Sequence, residues 1–366
     1  MESLPKKGCV VVGISGGVDS SVAAWRLKEQ GFDVIGLFMK NWEEDDQSYC
    51  NVAEDLKSAT ESCETIGIPL RTVNFSYEYW EKVFAVFLQE YQKGHTPNPD
   101  ILCNREIKFR EFFNFAKHLG ARYIATGHYA RTRRKGSLTQ LLKGADPNKD
   151  QSYFLYQIPQ NALAQTLFPI GDLKKTEVRD IARETGLPNS ERKDSMGICF
   201  IGQRRFKTFL SRYLPQNTGE IKTLDGLTVG EHDGLWFYTI GQRHGLNIGG
   251  PGEAWYVARK DMSRNVLYVV QGHDDIALMK KSVYCNEPHW ITGDAPERVI
   301  FSCSAKIRHG QRDQRCHLSH HNNQIRVLFN NAQRAITPGQ SLVLYHGEIV
   351  LGGATISASD NTTLAT

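Results

Sequence analysis

The sequence predicts an α/β N-terminal domain built on a doubly wound parallel sheet, followed by two smaller β-rich modules, the last a β-barrel. Apolar strand-like runs alternate with helical stretches through the N-terminal half, the pattern of a parallel sheet with helices on its faces. A glycine-bearing turn joins the first strand to the first helix, and sheets of this kind bind ligands at such strand ends. Beyond about residue 205, glycines, aromatics and short alternating runs take over, as in antiparallel strands joined by turns. The 366 residues allow two or three domains at roughly 100–200 residues each. We place them at 1–205, 206–280 and 281–366.

The elements follow in order. CVVVGIS (9–15) is a continuous apolar run, as expected of a strand buried on both faces. A helix runs through VAAWRLKEQ and closes at Gly31, a suitable C-cap. FDVIGLFM (32–39) is the second strand, 51–66 a helix closed by Gly67, and IPLRTVNF the third strand. Helical stretches near 78–92 and 104–118 flank a loop, HTPNPDI, and RYIATGH (122–128) is a further buried strand. In the C-terminal half GEIKTLDG, GLWFYTIG, EAWYVARK, NVLYVVQG, QIRVLFN and SLVLYHGEIVLGGATI read as short antiparallel strands.

Composition excludes several classes. Hydrophobic residues at 40% and charged residues at 23% are ordinary for globular protein, so wholesale disorder is out. No apolar run approaches the ~18 residues of a membrane span, so no membrane role is expected. The start, MESLPKKGCVVVGISGG, enters the first strand without a cleavage site, so a cytoplasmic protein without signal or transit peptide is expected. The net charge of +4 permits a polyanionic partner without demanding one. Eight cysteines without a CxxC pair argue for reduced thiols.

Ser15-Gly16-Gly17-Val18-Asp19-Ser20-Ser21 lies between the first strand and the first helix. Its glycines allow close backbone approach, and its N–H groups, serine hydroxyls and helix N-terminus favour an anion. Asp19 on the same turn is a candidate ligand for Mg²⁺ against phosphates. No GxxxxGK[ST] is present here, so a Walker-type lysine is lacking. A plain turn whose Ser and Asp cap a helix is the competing explanation. The string resembles the PP-loop signature of the ATP pyrophosphatase superfamily, whose members adenylate an oxygen and let a nucleophile displace AMP.

Two cysteines narrow the choice. Cys103 follows TPNPDIL, where two prolines pre-shape the chain. The thiol then falls near the N-terminus of the next helix, where the dipole, Arg105 and Lys108 favour thiolate. Asp100, one turn earlier, is a candidate general acid or base. Cys199 sits in DSMGICFIG, bracketed by glycines. A single cysteine is more commonly just a small buried hydrophobe.

SGGVDSSV, GLFMKNW, TPNPDILCNREIKF, ATGHYAR, KDQSYFL, GDLKKTEVR, DSMGICFIG and YTIGQRHGL occur in this order. Together they resemble the tRNA-specific 2-thiouridylase family, which places sulfur on the wobble uridine of certain tRNAs (Lys, Glu and Gln type). The resemblance implies that ATP binds at Gly13, Ile14, Ser15, Gly16, Gly17, Val18, Asp19 and Ser20, helped by Met39 and Gly127. It implies that Asn98, Pro99 and Asp100 contact the target base, with Asp100 moving the proton. Cys199 would carry sulfur as a persulfide and Cys103 would be its partner nucleophile. Lys149, Asp150, Gln151, Arg308 and His309 would contact tRNA. The implied partners are tRNA and a sulfur donor, either a cysteine desulfurase or a relay protein.

Basic clusters at Arg131–Lys135, Lys174–Lys175 and Arg204–Lys207, with aromatics nearby, suit an anticodon loop but equally a solvated face. Cys303, His309, Cys316, His317, His320 and His321 invite a zinc reading, yet lack the tight C-x₂₋₄-C half of a finger, and no metal centre is expected. An iron–sulfur cluster at Cys103 and Cys199 lacks an obvious third ligand. Two other functions compete: a PP-loop ligase or amidotransferase acting on a small carboxylate, and a non-catalytic tRNA-binding protein. The first calls for a glutaminase domain or another ammonia source and no essential cysteine pair. The second would bind tRNA with steep salt dependence and consume no ATP.

Overall fold

The computed structural model describes residues 7–43, 52–194, 206–296, 300–321 and 323–359. Its first layer is a five-stranded sheet. Strands β1 (Cys9–Gly13), β2 (Asp33–Lys40), β3 (Leu70–Asn74), β4 (Tyr123–Ala125) and the short Thr166–Leu167 strand pair in parallel throughout. Val10, Val11 and Val12 of β1 are wholly buried, because helices cover both faces of the central strand. Burial of each such side chain contributes about 1.5–3 kcal/mol. The order is β3-β2-β1-β4, with Thr166–Leu167 outside β4. The chain therefore leaves β1 in one direction and returns on its other side at β4. That reversal is the switch point where a doubly wound sheet opens a crevice.

Helix α1 (Val18–Glu29) follows the turn after β1 and buries Val18, Ser21, Val22 and Leu27 against the sheet. Helix α2 (Val52–Ile66) begins its described run just past the expected start. Two further helical rods run over 76–92 and 99–118, each with a π-helical stretch, at Trp80–Phe84 and Asn104–Phe112. Such widened turns are common at functional sites. The second rod starts at Pro99, five residues before the expected 104. Asn98 caps it, its side-chain oxygen accepting from the Asp100 N–H at 3.1 Å, and Pro99 occupies a first-turn position that needs no N–H donor.

Strands β5 (Ala130–Lys135) and β6 (Leu138–Lys143) form a hairpin that belongs to no strand of the parallel sheet. With the Thr166–Leu167 strand counted as β7, the central module holds β8 (Gly219–Thr223), β9 (Thr228–His232), β10 (Trp255–Asp261) and β11 (Val266–Gln271). Its order is β10-β11-β8-β9, and β11 pairs with β8 in parallel, where antiparallel pairing was expected. GLWFYTIG is not a strand either. Leu235–Phe237 is a 3₁₀ turn that buries Leu235 and Phe237.

The last module contains β12 (Met279–Trp290), β13 (Ile300–Lys306), β14 (Gln314–His321), β15 (Gln324–Arg334), β16 (Ser341–His346) and β17 (Ile349–Ser359). They run β12-β15-β14-β13-β16-β17, and β12 pairs again with β17 to close a six-stranded barrel. The β5–β6 hairpin extends this sheet, with Leu142 opposite Ile349 and Leu141 opposite Val350. Cys303 and Cys316 face each other across β13 and β14 with their sulfurs 3.6 Å apart. The histidines of that patch turn elsewhere: His317 to Ser302, His320 to the Pro296 carbonyl and His309 to the Asp150 carbonyl. Among the described residues no three His, Cys, Asp or Glu side chains converge as metal ligands. Nor is any described helix long and apolar enough to cross a membrane.

Candidate active site

The turn after β1 is held by its own side chains. Ser20 Oγ accepts from the Ser15 N–H (3.2 Å) and donates to the Gly17 carbonyl (2.9 Å). Gly16 has φ +79°, and a β-carbon there would run into the Asp55 carbonyl, so only glycine fits. The Gly16 carbonyl accepts three donors: Ser58 Oγ (2.8 Å), Asn189 Nδ2 (3.0 Å) and Arg192 Nη1 (3.1 Å). With that carbonyl tied down, the turn presents the N-terminus of the twelve-residue helix α1 to the crevice. Gly127, just past β4, lies against the start of α1; a β-carbon there would be 2.7 Å from the Ser20 nitrogen. Met39 closes the floor from β2, its methyl 3.4 Å from where a Gly13 β-carbon would sit.

A lysine from far along the chain stands beside this turn. Lys175 Nζ lies 2.7 and 2.8 Å from the two oxygens of Asp19, and Tyr129 donates to the same carboxylate at 2.7 Å. Lys175 also meets Asp194 at 2.7 Å, and Asp194 binds Lys149 (2.7 Å) and Arg179 (2.9 Å). Asp19 is therefore engaged by an ammonium on both oxygens. It does not fit the role of Mg²⁺ ligand in this arrangement. Lys174 and Lys175 read as a basic cluster in sequence, and GDLKKTEVR was the available signal for Lys175. Ser58, Asn189 and Arg192 carried no local signal.

Burial pushes the Asp194 carboxyl up, but hydrogen bonds and charge from Lys149 and Lys175 outweigh it and hold it at about 2. Its contribution to stability is thus complete above the ordinary aspartate value of 3.8 and is lost as pH falls through about 2. Asp194→Asn should destabilise the protein near neutral pH, and urea melts should show the gap to wild type narrowing below about pH 4. A gap independent of pH over that range would mean that the carboxylate charge is not what is lost.

The second half of the site lies on the 99–118 rod. Asp100 and Cys103 are three residues apart on one helix, so they lie one above the other. Burial pushes the Asp100 carboxyl above its ordinary value, against the opposing charges of Lys108 and His309. Cys103 differs from expectation: because the helix starts at Pro99, the thiol is in its fifth residue and is 2% exposed in the core. Arg105, expected to favour a thiolate, instead pairs with Glu106 at 2.7 Å. Lys108 sits 3.4 Å from His128 Nε2.

Both other modules grip the loop before this helix. Thr96 donates its N–H to the Pro338 carbonyl (2.9 Å), and Gln340 Nε2 donates to the Thr96 carbonyl (2.7 Å). Thr239 of the central module places its hydroxyl 3.4 Å from that of Thr96. The 149–151 segment is likewise fixed from within. Lys149 pairs with Asp194, Gln151 accepts from the Tyr129 N–H (3.0 Å), and the Asp150 carboxylate is buried, accepting from the Gly144 and Ser152 N–H groups. The Asp150 side chain thus supports its own loop rather than facing solvent. His309 donates to the Asp150 carbonyl at 2.8 Å and packs at a tilt against Phe154, ring centres 4.5 Å apart, which carries the barrel to the site. Arg308 lies beside it, turned to the carbonyls of Arg334 and Ala335. Cys199 lies outside the described residues; Asp194, five positions before it, is anchored to Lys175.

Comparison with known proteins follows these modules. Residues 8–203 match a family model described as a tRNA methyl transferase HUP domain, 207–271 a tRNA methyl transferase PRC-barrel domain, and 280–356 an aminomethyltransferase beta-barrel domain. Over 356 residues the chain is 54% identical to the tRNA-specific 2-thiouridylase MnmA of Legionella pneumophila (strain Lens), covering 96% of this chain and 98% of that one. The chain belongs to the tRNA-specific 2-thiouridylase family. The enzyme of the same name from Pseudomonas entomophila (strain L48) is 53% identical over 364 residues, covering 97% of this chain and 96% of that one. The family accounts for the parallel-sheet domain, the β-rich centre and the closed terminal barrel as one continuous arrangement.

Proposed function

We propose that this chain is a tRNA sulfurtransferase that converts the C2 oxygen of a tRNA wobble uridine to sulfur at the expense of ATP. The observation that carries the reading is its 54% identity, along 96% of its length, to a tRNA-specific 2-thiouridylase. The site geometry agrees with that chemistry. A pinned phosphate turn backed by Lys175 suits the triphosphate of ATP, and a raised carboxyl at Asp100 suits proton transfer at the base. Asn98 and Pro99, at the start of the same helix, would place the base beside Asp100.

The uridine C2 oxygen attacks the α-phosphate of ATP, and pyrophosphate leaves. The oxygen, a poor leaving group, is now part of AMP, a good one. The terminal sulfur of a Cys199 persulfide attacks C2 and AMP departs. Cys103 then attacks the inner Cys199 sulfur, which releases the thiolated base and leaves a Cys103–Cys199 disulfide. A dithiol reductant reopens the disulfide, and a cysteine desulfurase or relay protein reloads Cys199. In this scheme Lys149, Gln151, Arg308 and His309 lie along the RNA path.

The test incubates the full chain with ATP, a persulfide source and unmodified lysine or glutamate tRNA transcript, followed by digestion and mass spectrometry. ATP-dependent 2-thiouridine at the wobble position is the expected result. AMP without thiolated base would point to another adenylated substrate, and tRNA binding with neither product would leave a binding protein. Cys199→Ser should abolish thiolation while ATP binding survives; simultaneous loss of ATP binding would make Cys199 a structural residue.

A further inference from the structure

Cys303 on β13 and Cys316 on β14 stand directly opposite each other, with their sulfurs 3.6 Å apart. The pairing runs without a bulge from Ile300 opposite Ser319 to Ala305 opposite Gln314, so the register that brings them together is fixed on both sides. Both pack on the apolar core of the terminal barrel, but unequally. Cys316 is 2% exposed, whereas Cys303 is only half-buried. The Cys316 thiol also donates to the Cys303 carbonyl, 3.6 Å away. Hydrogen bonding to Cys303, and after it burial, push the Cys316 thiol well above its ordinary value, so Cys316 keeps its proton.

A thiol in a core is by itself no more than a small apolar side chain. The placement of this pair adds chemistry. Opposite residues of an antiparallel pair have Cα atoms about 4.5–5.5 Å apart, inside the span of about 4.4–6.8 Å that a disulfide bridges. Closing the sulfurs to about 2.05 Å therefore needs side-chain rotation and no shift of either strand. Cys285, the third thiol of the barrel, is the contrast: it is wholly buried on β12, opposite Ile325 on one side and Ile356 on the other. The hairpin that the pair closes also reaches the candidate active site. Between Cys303 and Cys316 the chain carries His309, which binds the Asp150 carbonyl at 2.8 Å.

We infer that Cys303 and Cys316 are a redox modification site, a dithiol that a hydroperoxide converts to a disulfide across the base of the β13–β14 hairpin. The Cys303 thiolate attacks the hydroperoxide: the O–O bond breaks, an S–O bond forms, and water or an alcohol leaves. The Cys316 sulfur then displaces the hydroxyl of the sulfenic acid, its proton departing with that hydroxyl as water. One hydroperoxide is reduced by two electrons, the sulfur pair is oxidised by two, and both thiol hydrogens are lost. A dithiol reductant reverses the step. The pair is distinct from Cys103 and Cys199, and the inference stands independently of the sulfur-transfer reading above.

The experiment treats the full chain, reduced and then freed of reductant, with hydrogen peroxide at a dose that oxidises N-acetylcysteine in a parallel tube. Free thiols are alkylated, and the chain is digested without reduction and mapped by mass spectrometry, which separates this bridge from any that involves Cys103 or Cys199. The expected product joins the Cys303 and Cys316 peptides, lighter by two hydrogens, and dithiothreitol restores both thiols. Cys285 should be alkylated only after unfolding. The oxidised chain should melt about 5 °C above the reduced one, because the bridge restricts the unfolded chain. Cys303→Ser should show neither the bridge nor the rise; if that variant does not fold, the wild-type map decides alone. Recovery of Cys303 and Cys316 as alkylated thiols, or bridged to other cysteines instead, would overturn the inference. So would Cys303 carried on to the sulfinic acid while Cys316 stays free.

Discussion

Lys175→Met should lower ATP-dependent product formation by about 10²–10³-fold, the usual cost of losing a group that stabilises developing charge. The ammonium of Lys175 stands between two carboxylates, 2.7 Å from Asp19 and 2.7 Å from Asp194. Without it Asp194 still has Lys149 and Arg179, but Asp19 keeps only the Tyr129 hydroxyl. An uncompensated carboxylate would then face the triphosphate at the phosphate turn, and repulsion would oppose both binding and turnover. AMP release and ATP affinity check this directly. The double variant Asp19→Asn, Lys175→Met should regain part of the lost affinity, because the stranded charge goes with its partner. Activity of Lys175→Met within threefold of wild type would reduce the lysine to a structural clamp.

Gly127→Ala should weaken ATP binding at least tenfold and cost stability of about 1–3 kcal/mol, the range for overpacking a tight contact. The added β-carbon would lie 2.7 Å from the Ser20 nitrogen and 2.8 Å from the Asp19 carbonyl carbon. Both are backbone atoms of the first turn of α1, so no side-chain rotation relieves the clash. The helix N-terminus must move off β4, and the phosphate turn moves with it. Gly249→Ala, where a β-carbon meets nothing within 4 Å, supplies the neutral comparison. Wild-type melting and ATP affinity in Gly127→Ala would show that the turn tolerates displacement.

What was legible in the sequence is what local chemistry dictates. The run of valines before Ser15, the glycines of the turn and the helical stretch closed by Gly31 fix β1, the turn and α1 within a few residues of one another. Lys175 was harder, because its role depends on a contact 156 residues away from Asp19. Pro99 misled in the other direction. In TPNPD it reads as an extended loop, yet with Asn98 as cap it starts a helix and moves Cys103 inside it. GLWFYTIG has the aromatic content of a strand, but Gly234 at φ +149° turns the chain into a 3₁₀ turn. The β5–β6 hairpin carries no mark in its own residues of the barrel edge it joins. That partnership is set by β17, more than 200 residues later.

The clamp on Thr96 has a consequence for how the enzyme is made. Gln340, which binds the Thr96 carbonyl, is 244 residues further along the chain. At synthesis rates of about 5–20 residues per second, the ribosome needs about 12–50 s to travel between them. Throughout that interval a nascent chain can possess its sheet and its phosphate turn while the segment bearing Asp100 and Cys103 lacks the barrel contacts that hold it. Translation thus delivers the turn after β1 well before the barrel contacts that hold the Asp100–Cys103 segment, so only a polypeptide that extends past Gln340 combines the two.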